Sequence, residues 1–280
     1  MGQESYNILF IMSDTFSTYP KVELLSAWFC PYAQRAVMAL MERCAPGDFT
    51  ITNAMEINHD PPKRLEKIPL LLEKNPKGLV PVLIDRRGGE EVVVSESLIC
   101  VEYIDEAMHG SSKSLLPGAA GQRAHARIWA DKLNNEICTN FYTLLMKQDK
   151  ESQDVAAEKI LNGLRQFDKE CKGPFFYGED LSIVDITIAP WIVGTRMGAL
   201  KHYRNFEVPK TNEYAQYWKW HDAVSKHPSY IATGSNGDLQ AMLGVYLPYA
   251  EGTGFVRKGE DAPYCQKRLS SVMGKEKQLS

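Results

Sequence analysis

A chain of 280 residues is long enough for two ordinary domains. Its 44% hydrophobic and 10% aromatic residues can fill a core, which excludes global disorder. The 32 basic and 35 acidic residues are mixed along the chain and sum to −3 with no basic stripe, which argues against nucleic acid as a partner.

Residues 1–20 are polar apart from Ile8–Met12 and are expected to form a flexible extension. Lys21–Trp28 reads as a strand. Pro31–Arg43 has helical spacing, with Tyr32, Ala36, Ala39 and Leu40 on one stripe. Residues 49–57 alternate, and predict one half-buried strand with Phe49, Ile51, Met55 and Ile57 inward. A proline-punctuated, weakly helical region follows at 61–78. Leu79–Asp85 and Glu90–Ser95 read as two strands joined by the turn RRGG, and a helix is expected from Glu96 to Met108. Strands joined through a helix pair in parallel and strands joined by a tight turn form a hairpin, so residues 21–108 have a thioredoxin-like α/β layout.

Residues 109–121 are rich in Ser, Gly and Pro and are expected to be a linker. Residues 122–251 read as an all-α domain. Trp129, Leu133, Ile137, Phe141 and Leu145 recur every fourth residue, and a 3–4 rhythm follows through Ala157, Ile160, Leu164 and Phe167. Further helices are expected over 183–200, bent by Pro190, and over 212–226, stopped by Pro228. LSIVDI, 181–186, resembles a capping box with a hydrophobic staple, in which Ser182 and Asp185 would be the box and Leu181 and Ile186 the staple. Residues 252–280 form a polar tail.

The residue that carries chemistry is Cys30, where a strand ends and a helix begins. Free N–H groups at a helix start favour a thiolate, and Pro31 suits the first turn. Position 33 is Ala, so Cys30 has no second cysteine with which to close a local disulfide. A mixed disulfide at Cys30 would need a thiol from elsewhere to resolve it. The six cysteines are widely spaced and do not read as a disulfide framework. No histidine–cysteine zinc pattern or phosphate-binding glycine loop is present, so no metal is expected. No signal-peptide pattern and no run near the ~20 apolar residues of a membrane helix is seen. A cytoplasmic location without a membrane partner is therefore expected.

FCPYAQR at 29–35, NPKGLVPVL at 75–83 and SES at 95–97 occur in an order and spacing that resemble the omega-type glutathione transferases, over about residues 22–245. The resemblance implies the glutathione transferase fold, glutathione as co-substrate and a homodimer. It implies that Cys30 is the catalytic cysteine, replacing the Tyr or Ser of other classes. It implies that Val80 pairs by its backbone with the cysteinyl part of glutathione, before a cis Pro81. By the same resemblance Glu96 and Ser97 hold the γ-glutamyl end and Lys67 reaches the glycyl carboxylate, with Lys63, Lys74 and Lys77 as neighbouring alternatives. Tyr142, Trp191 and Tyr203 are candidates to line an acceptor pocket.

The implied activity is glutathione-dependent thiol transfer or reduction, with mixed disulfides, dehydroascorbate or glutathione adducts of small molecules as acceptors. The alternatives are a non-catalytic binding module on the same fold, in the manner of translation-factor or intracellular chloride-channel relatives, and the glutathionyl-hydroquinone reductases. The last carry Trp and His where this chain has Tyr32 and Gln34.

Overall fold

A computed structural model describes residues 20–45, 47–58, 64–108, 113–233 and 237–254. The expected N-terminal extension, most of the polar tail, Lys63 and the start of the linker lie outside the described residues. The first unit runs β1 (Val22–Ser26), α1 (Pro31–Arg43), β2 (Thr50–Asn53), β3 (Met55–Asn58), β4 (Arg64–Lys67), α2 (Pro69–Lys74), β5 (Val82–Asp85), β6 (Val92–Ser95) and α3 (Ser97–Ala107). Its sheet has the order β2-β1-β5-β6. β2 is parallel to β1, while β5 and β6 each run antiparallel to the strand before them in that order. This is the thioredoxin-like topology that the order of elements predicts.

Every residue of β1 is buried. Helix α1 is covered on nearly all sides, because the sheet lies behind it, α3 beside it and the helical unit in front. The alanines at 33, 36 and 39 suit that confinement: they keep helix propensity high while letting neighbours approach closely.

Two local expectations give way to tertiary structure. The single strand expected at 49–57 is divided at Ala54. Its N–H reaches Ser26 O at 2.7 Å and its carbonyl accepts from Ile68 N at 3.2 Å, so the chain changes sheets at one small buried residue. β2 is then an edge strand, and Ile51 is 40% exposed where alternation predicts it inward. The weak helix expected over 61–78 is confined to α2, and RLEK before it pairs with β3 as β4. Cross-strand pairing decides that assignment against the segment's own low β propensity.

The second unit is all helical: α4 (Ala120–Leu133), α5 (Thr139–Met146), α6 (Lys150–Glu170), α7 (Ile183–Ile192), α8 (Thr195–Arg204), α9 (Ala215–Lys226), α10 (Pro228–Ala232) and α11 (Leu239–Ala250). Between α4 and α5 lies a π-turn, Asn134–Cys138. A stripe that repeats every four residues drifts by about 40° per step on a helix of 3.6 residues per turn. One wider turn takes up part of that drift, and Trp129, Leu133, Ile137, Phe141 and Leu145 are all buried.

The helix expected over 183–200 is two helices that meet at 43°. Pro190 stays inside α7, and the break falls at Gly194, whose φ of +72° favours glycine. Asp185, on the first turn of α7, accepts from four donors: Ser182 N at 2.8 Å, Ser182 Oγ at 2.6 Å, Phe176 N at 2.8 Å and Trp220 Nε1 at 2.8 Å. It thus joins the helix start to the preceding loop and to α9.

Replacing Asp185 with Ala leaves buried donors unsatisfied. The variant should lose about 3–5 kcal/mol of stability, read as a lower urea midpoint. A loss below about 1 kcal/mol would contradict a structural role.

Candidate active site

Cys30 is the residue that caps α1, with extended backbone at φ −85° and ψ 115°. Its N–H bonds Ala27 O at 2.9 Å and its carbonyl accepts from Gln34 N at 3.1 Å, which fixes the thiol at the mouth of the helix. The half-buried sulfur lies 4.0 Å from Val80 O. It opens on a cavity of about 380 Å³ between the two units.

One wall of the cavity comes from the α/β unit. Val80–Pro81 is a cis peptide. The loop before it is held by Asn75, whose Nδ2 donates to Leu79 O at 2.9 Å and whose Oδ1 accepts from Lys77 N at 3.2 Å. Glu96 and Ser97 complete the wall at the start of α3. Glu96 has φ +71°, a conformation that costs a non-glycine residue on the order of 1–3 kcal/mol and that clusters at binding sites. Ser97 Oγ accepts from Arg35 Nη1 at 3.1 Å, which leaves the hydroxyl hydrogen free to turn toward the cavity.

Cys30, Val80, Glu96 and Ser97 therefore share one cavity. Lys67 is not among its lining residues: its side chain lies over Gly78, where φ is +60° and an added Cβ would strike Lys67 Cδ at 3.0 Å. Lys74 pairs with Glu91 at 2.5 Å, away from the cavity. Lys77 Nζ lies 3.1 Å from Glu96 Oε1.

The facing wall is helical and aromatic, built from Tyr142 and Met146 of α5 and from Val245, Tyr246 and Tyr249 of α11. Of the three aromatic candidates for an acceptor pocket, Tyr142 lines the cavity. Trp191 is buried behind it, packed edge-on to Tyr32 at 4.8 Å and under the Arg35 guanidinium at 4.3 Å. Tyr203 turns away, donating to Leu243 O at 2.8 Å.

Two buried arginines flank the thiol. Arg35, of α1, donates to Thr187 O, Asn134 Oδ1 and Ser97 Oγ. Arg196, of α8, donates to Phe29 O, Gln34 Oε1, Pro190 O and Tyr246 Oη. Neither forms an ion pair among the described residues. The sequence motifs contain Arg35 and Asn75 but give them no role, and Arg196, Tyr246 and Tyr249 go unmarked. The signal for Arg35 is its place five residues after Cys30, one turn into the helix. Arg196 carries no local signal.

Burial pushes the Cys30 thiol upward. Against it act the Ala33 N–H, the Arg196 charge, the Tyr32 N–H and the Arg35 charge. The expected lowering by the helix start is therefore present but outweighed by desolvation. Burial also raises the other described thiols, Cys44, Cys138 and Cys171 to about 11 and Cys100 to about 12. None of these four lines the cavity. Among the described residues, no group of three or more His, Cys, Asp or Glu side chains could hold a metal ion.

An α/β unit of this topology, with its thiol facing a cavity shared with a helical second unit, defines the two-domain transferases built on the thioredoxin fold. The family model described as "Glutathione S-transferase, N-terminal domain" matches residues 29–107, and "Glutathione S-transferase, C-terminal domain" matches residues 123–223. Glutathione S-transferase U13 of Arabidopsis thaliana is 30% identical over 216 residues, covering 74% of this chain and 89% of that protein. The crystal structure of glutathione transferase Omega 3C from Trametes versicolor is 29% identical with a TM-score of 0.66, covering 78% and 90% of the two chains. The Tau-class structure MiGSTU from mango is 25% identical with a TM-score of 0.65, covering 80% and 96%. The chain belongs to the glutathione S-transferase family, and its relatives include both Tau and Omega members.

With the thiol held above the ordinary value of about 8.5, the thiolate appears only as pH rises. Iodoacetamide alkylation at Cys30, followed by mass spectrometry of its peptide, should accelerate through pH 7 to 9 without a plateau. A plateau reached by about pH 7 would contradict the dominance of desolvation.

Proposed function

We propose that this family member is an omega-like, cysteine-based enzyme that transfers or removes glutathionyl groups through Cys30. The observation that carries the reading is a residue bearing a thiol, rather than a hydroxyl, at the N-terminal cap position of α1, in the same cavity as the cis Val80–Pro81 peptide and the Glu96–Ser97 helix start. In this reading glutathione lies along the α/β wall. Its cysteinyl amide pairs with the backbone of Val80. Its γ-glutamyl carboxylate takes the Ser97 hydroxyl and the N–H groups of α3, and its ammonium takes Glu96.

The glycyl carboxylate needs a cation at the other end. Lys67 is retained for that role, and the ion pair of Lys77 with Glu96 at 3.1 Å supports a part for Lys77 at the γ-glutamyl end. The acceptor lies against the aromatic helical wall. Mixed disulfides, dehydroascorbate and glutathione adducts of small aromatic or ketone compounds all fit such a site. A cytoplasmic homodimer belongs to the same proposal.

Cys30 attacks the glutathionyl sulfur of a mixed disulfide, forms Cys30–S–SG and expels the acceptor thiolate. Among the described cysteines none of Cys44, Cys100, Cys138 and Cys171 shares the cavity, which supports a second glutathione as the thiol that resolves the intermediate as glutathione disulfide.

Steady-state reduction of the glutathione–mercaptoethanol mixed disulfide tests this. Cys30→Ala should lose at least about 1,000-fold in turnover, since the covalent route is removed, while still binding glutathione-agarose. Unchanged exchange in Cys30→Ala would overturn the proposal. Conjugation of glutathione to an aryl chloride, gained on that substitution, would keep the fold and change the role of Cys30.

A further inference from the structure

The helical wall holds a polar arrangement that the glutathione contacts leave unused. Arg196 is fully buried. Its Nη2 donates to Phe29 O at 3.0 Å, its Nη1 to Gln34 Oε1 at 2.6 Å and to Pro190 O at 2.9 Å, and its Nε to Tyr246 Oη at 3.1 Å. One guanidinium thus ties the residue before Cys30 to a phenol on α11. Tyr246 and Cys30 line the same cavity. The Tyr142 ring lies beside that of Tyr246, with 6.4 Å between centroids.

A buried guanidinium with no anion is costly, and it suits a site where an anion forms transiently. A phenol oxygen that accepts from a cation releases its own proton more readily. Arg196 and Tyr142 oppose the upward push that burial exerts on Tyr246. The arrangement therefore has a proton to give, a fixed charge to hold what remains, and a position on the acceptor side of the thiol.

We propose that Tyr246 is the catalytic proton donor to the sulfur displaced when Cys30 takes a glutathionyl group, with Arg196 as its positioning residue and counter-charge. This rests on the glutathionyl-transfer reading above. The Cys30 thiolate attacks the glutathione sulfur of GS–SR; the new S–S bond forms as the old one breaks, and the electron pair leaves on RS⁻. The Tyr246 O–H proton passes to that sulfur, RSH departs, and the tyrosinate lies against Arg196. A second glutathione gives its thiol proton to the tyrosinate and attacks Cys30–S–SG as GS⁻. Glutathione disulfide leaves, and Cys30 is again a thiolate and Tyr246 a phenol. The sum is GS–SR + GSH → GSSG + RSH, which needs no oxidant or reductant beyond glutathione.

Such a donor matters in proportion to the basicity of the leaving thiolate. The test compares wild type and Tyr246→Phe, which keeps the ring against Phe141 at 5.7 Å and Tyr142 at 6.4 Å. Two substrates are used: the mixed disulfide of glutathione with mercaptoethanol, and that with a nitrothiophenol, whose thiolate leaves without help. Tyr246→Phe should lose about 100-fold in kcat/KM on the first and less than about threefold on the second. The pH profile of Cys30 alkylation should not change.

Equal losses on the two substrates, or no loss on either, would overturn the role of Tyr246 while leaving glutathionyl transfer standing. Wild type that turns over neither substrate would instead remove the glutathionyl-transfer reading, and this inference with it.

Discussion

A guanidinium buried without a carboxylate is costly unless its N–H groups are used, and Arg35 uses them on both units of the protein. From α1 it reaches Thr187 O on α7 twice, at 3.0 and 2.8 Å, Asn134 Oδ1 in the π-turn at 2.8 Å and Ser97 Oγ on α3 at 3.1 Å. Its flat face lies on Trp191. One side chain, 1% exposed, therefore sets the seat of α1 on the helical unit and the start of α3 against α1. The cavity exists because those three elements keep that spacing.

Arg196 makes the reciprocal connection. It starts from α8 and reaches back to Phe29 and Gln34 beside Cys30. The break at Gly194 makes this possible: a continuous helix past Ile192 would carry Arg196 along the axis of α7, and it would use the Pro190 carbonyl that Arg196 now caps. The two arginines cross the domain boundary in opposite directions and leave positive charge on both sides of the thiol. That charge, with two backbone N–H groups, works against desolvation at Cys30. Cys138 also touches Arg35, yet it is sealed in the core and does not line that cavity.

The parts legible in the sequence are those written in local chemistry. Pro31 in the first turn and the stripe behind it mark α1 to the residue, and place Cys30 at its cap. Ser182 and Asp185 mark the start of α7. The family motifs carry the cis Val80–Pro81 peptide and the helix start at Glu96–Ser97, which no composition or periodicity would give. What was not legible depends on distant partners. RLEK becomes a strand only because β3 lies beside it. Arg35 meets Thr187 across 152 positions, and Arg196 meets Phe29 across 167. The π-turn left a trace in the exact period of four at Trp129–Leu145, a stripe that a regular helix cannot keep on one face.

The chemistry follows from the same constraint. In the proposed chemistry a thiol at a helix start, with no partner cysteine in its cavity among the described residues, accepts a glutathionyl group but cannot release it unaided. Covalent capture at that sulfur and at no other is what distinguishes this reading from a non-covalent binding module. Incubation of the intact protein with glutathione disulfide, followed by digestion and peptide mass spectrometry, reads it out. One glutathionyl group on the peptide that carries Cys30, removed by added glutathione, is the expected result. An unmodified Cys30 in folded protein, or modification at Cys44 in its place, would contradict it.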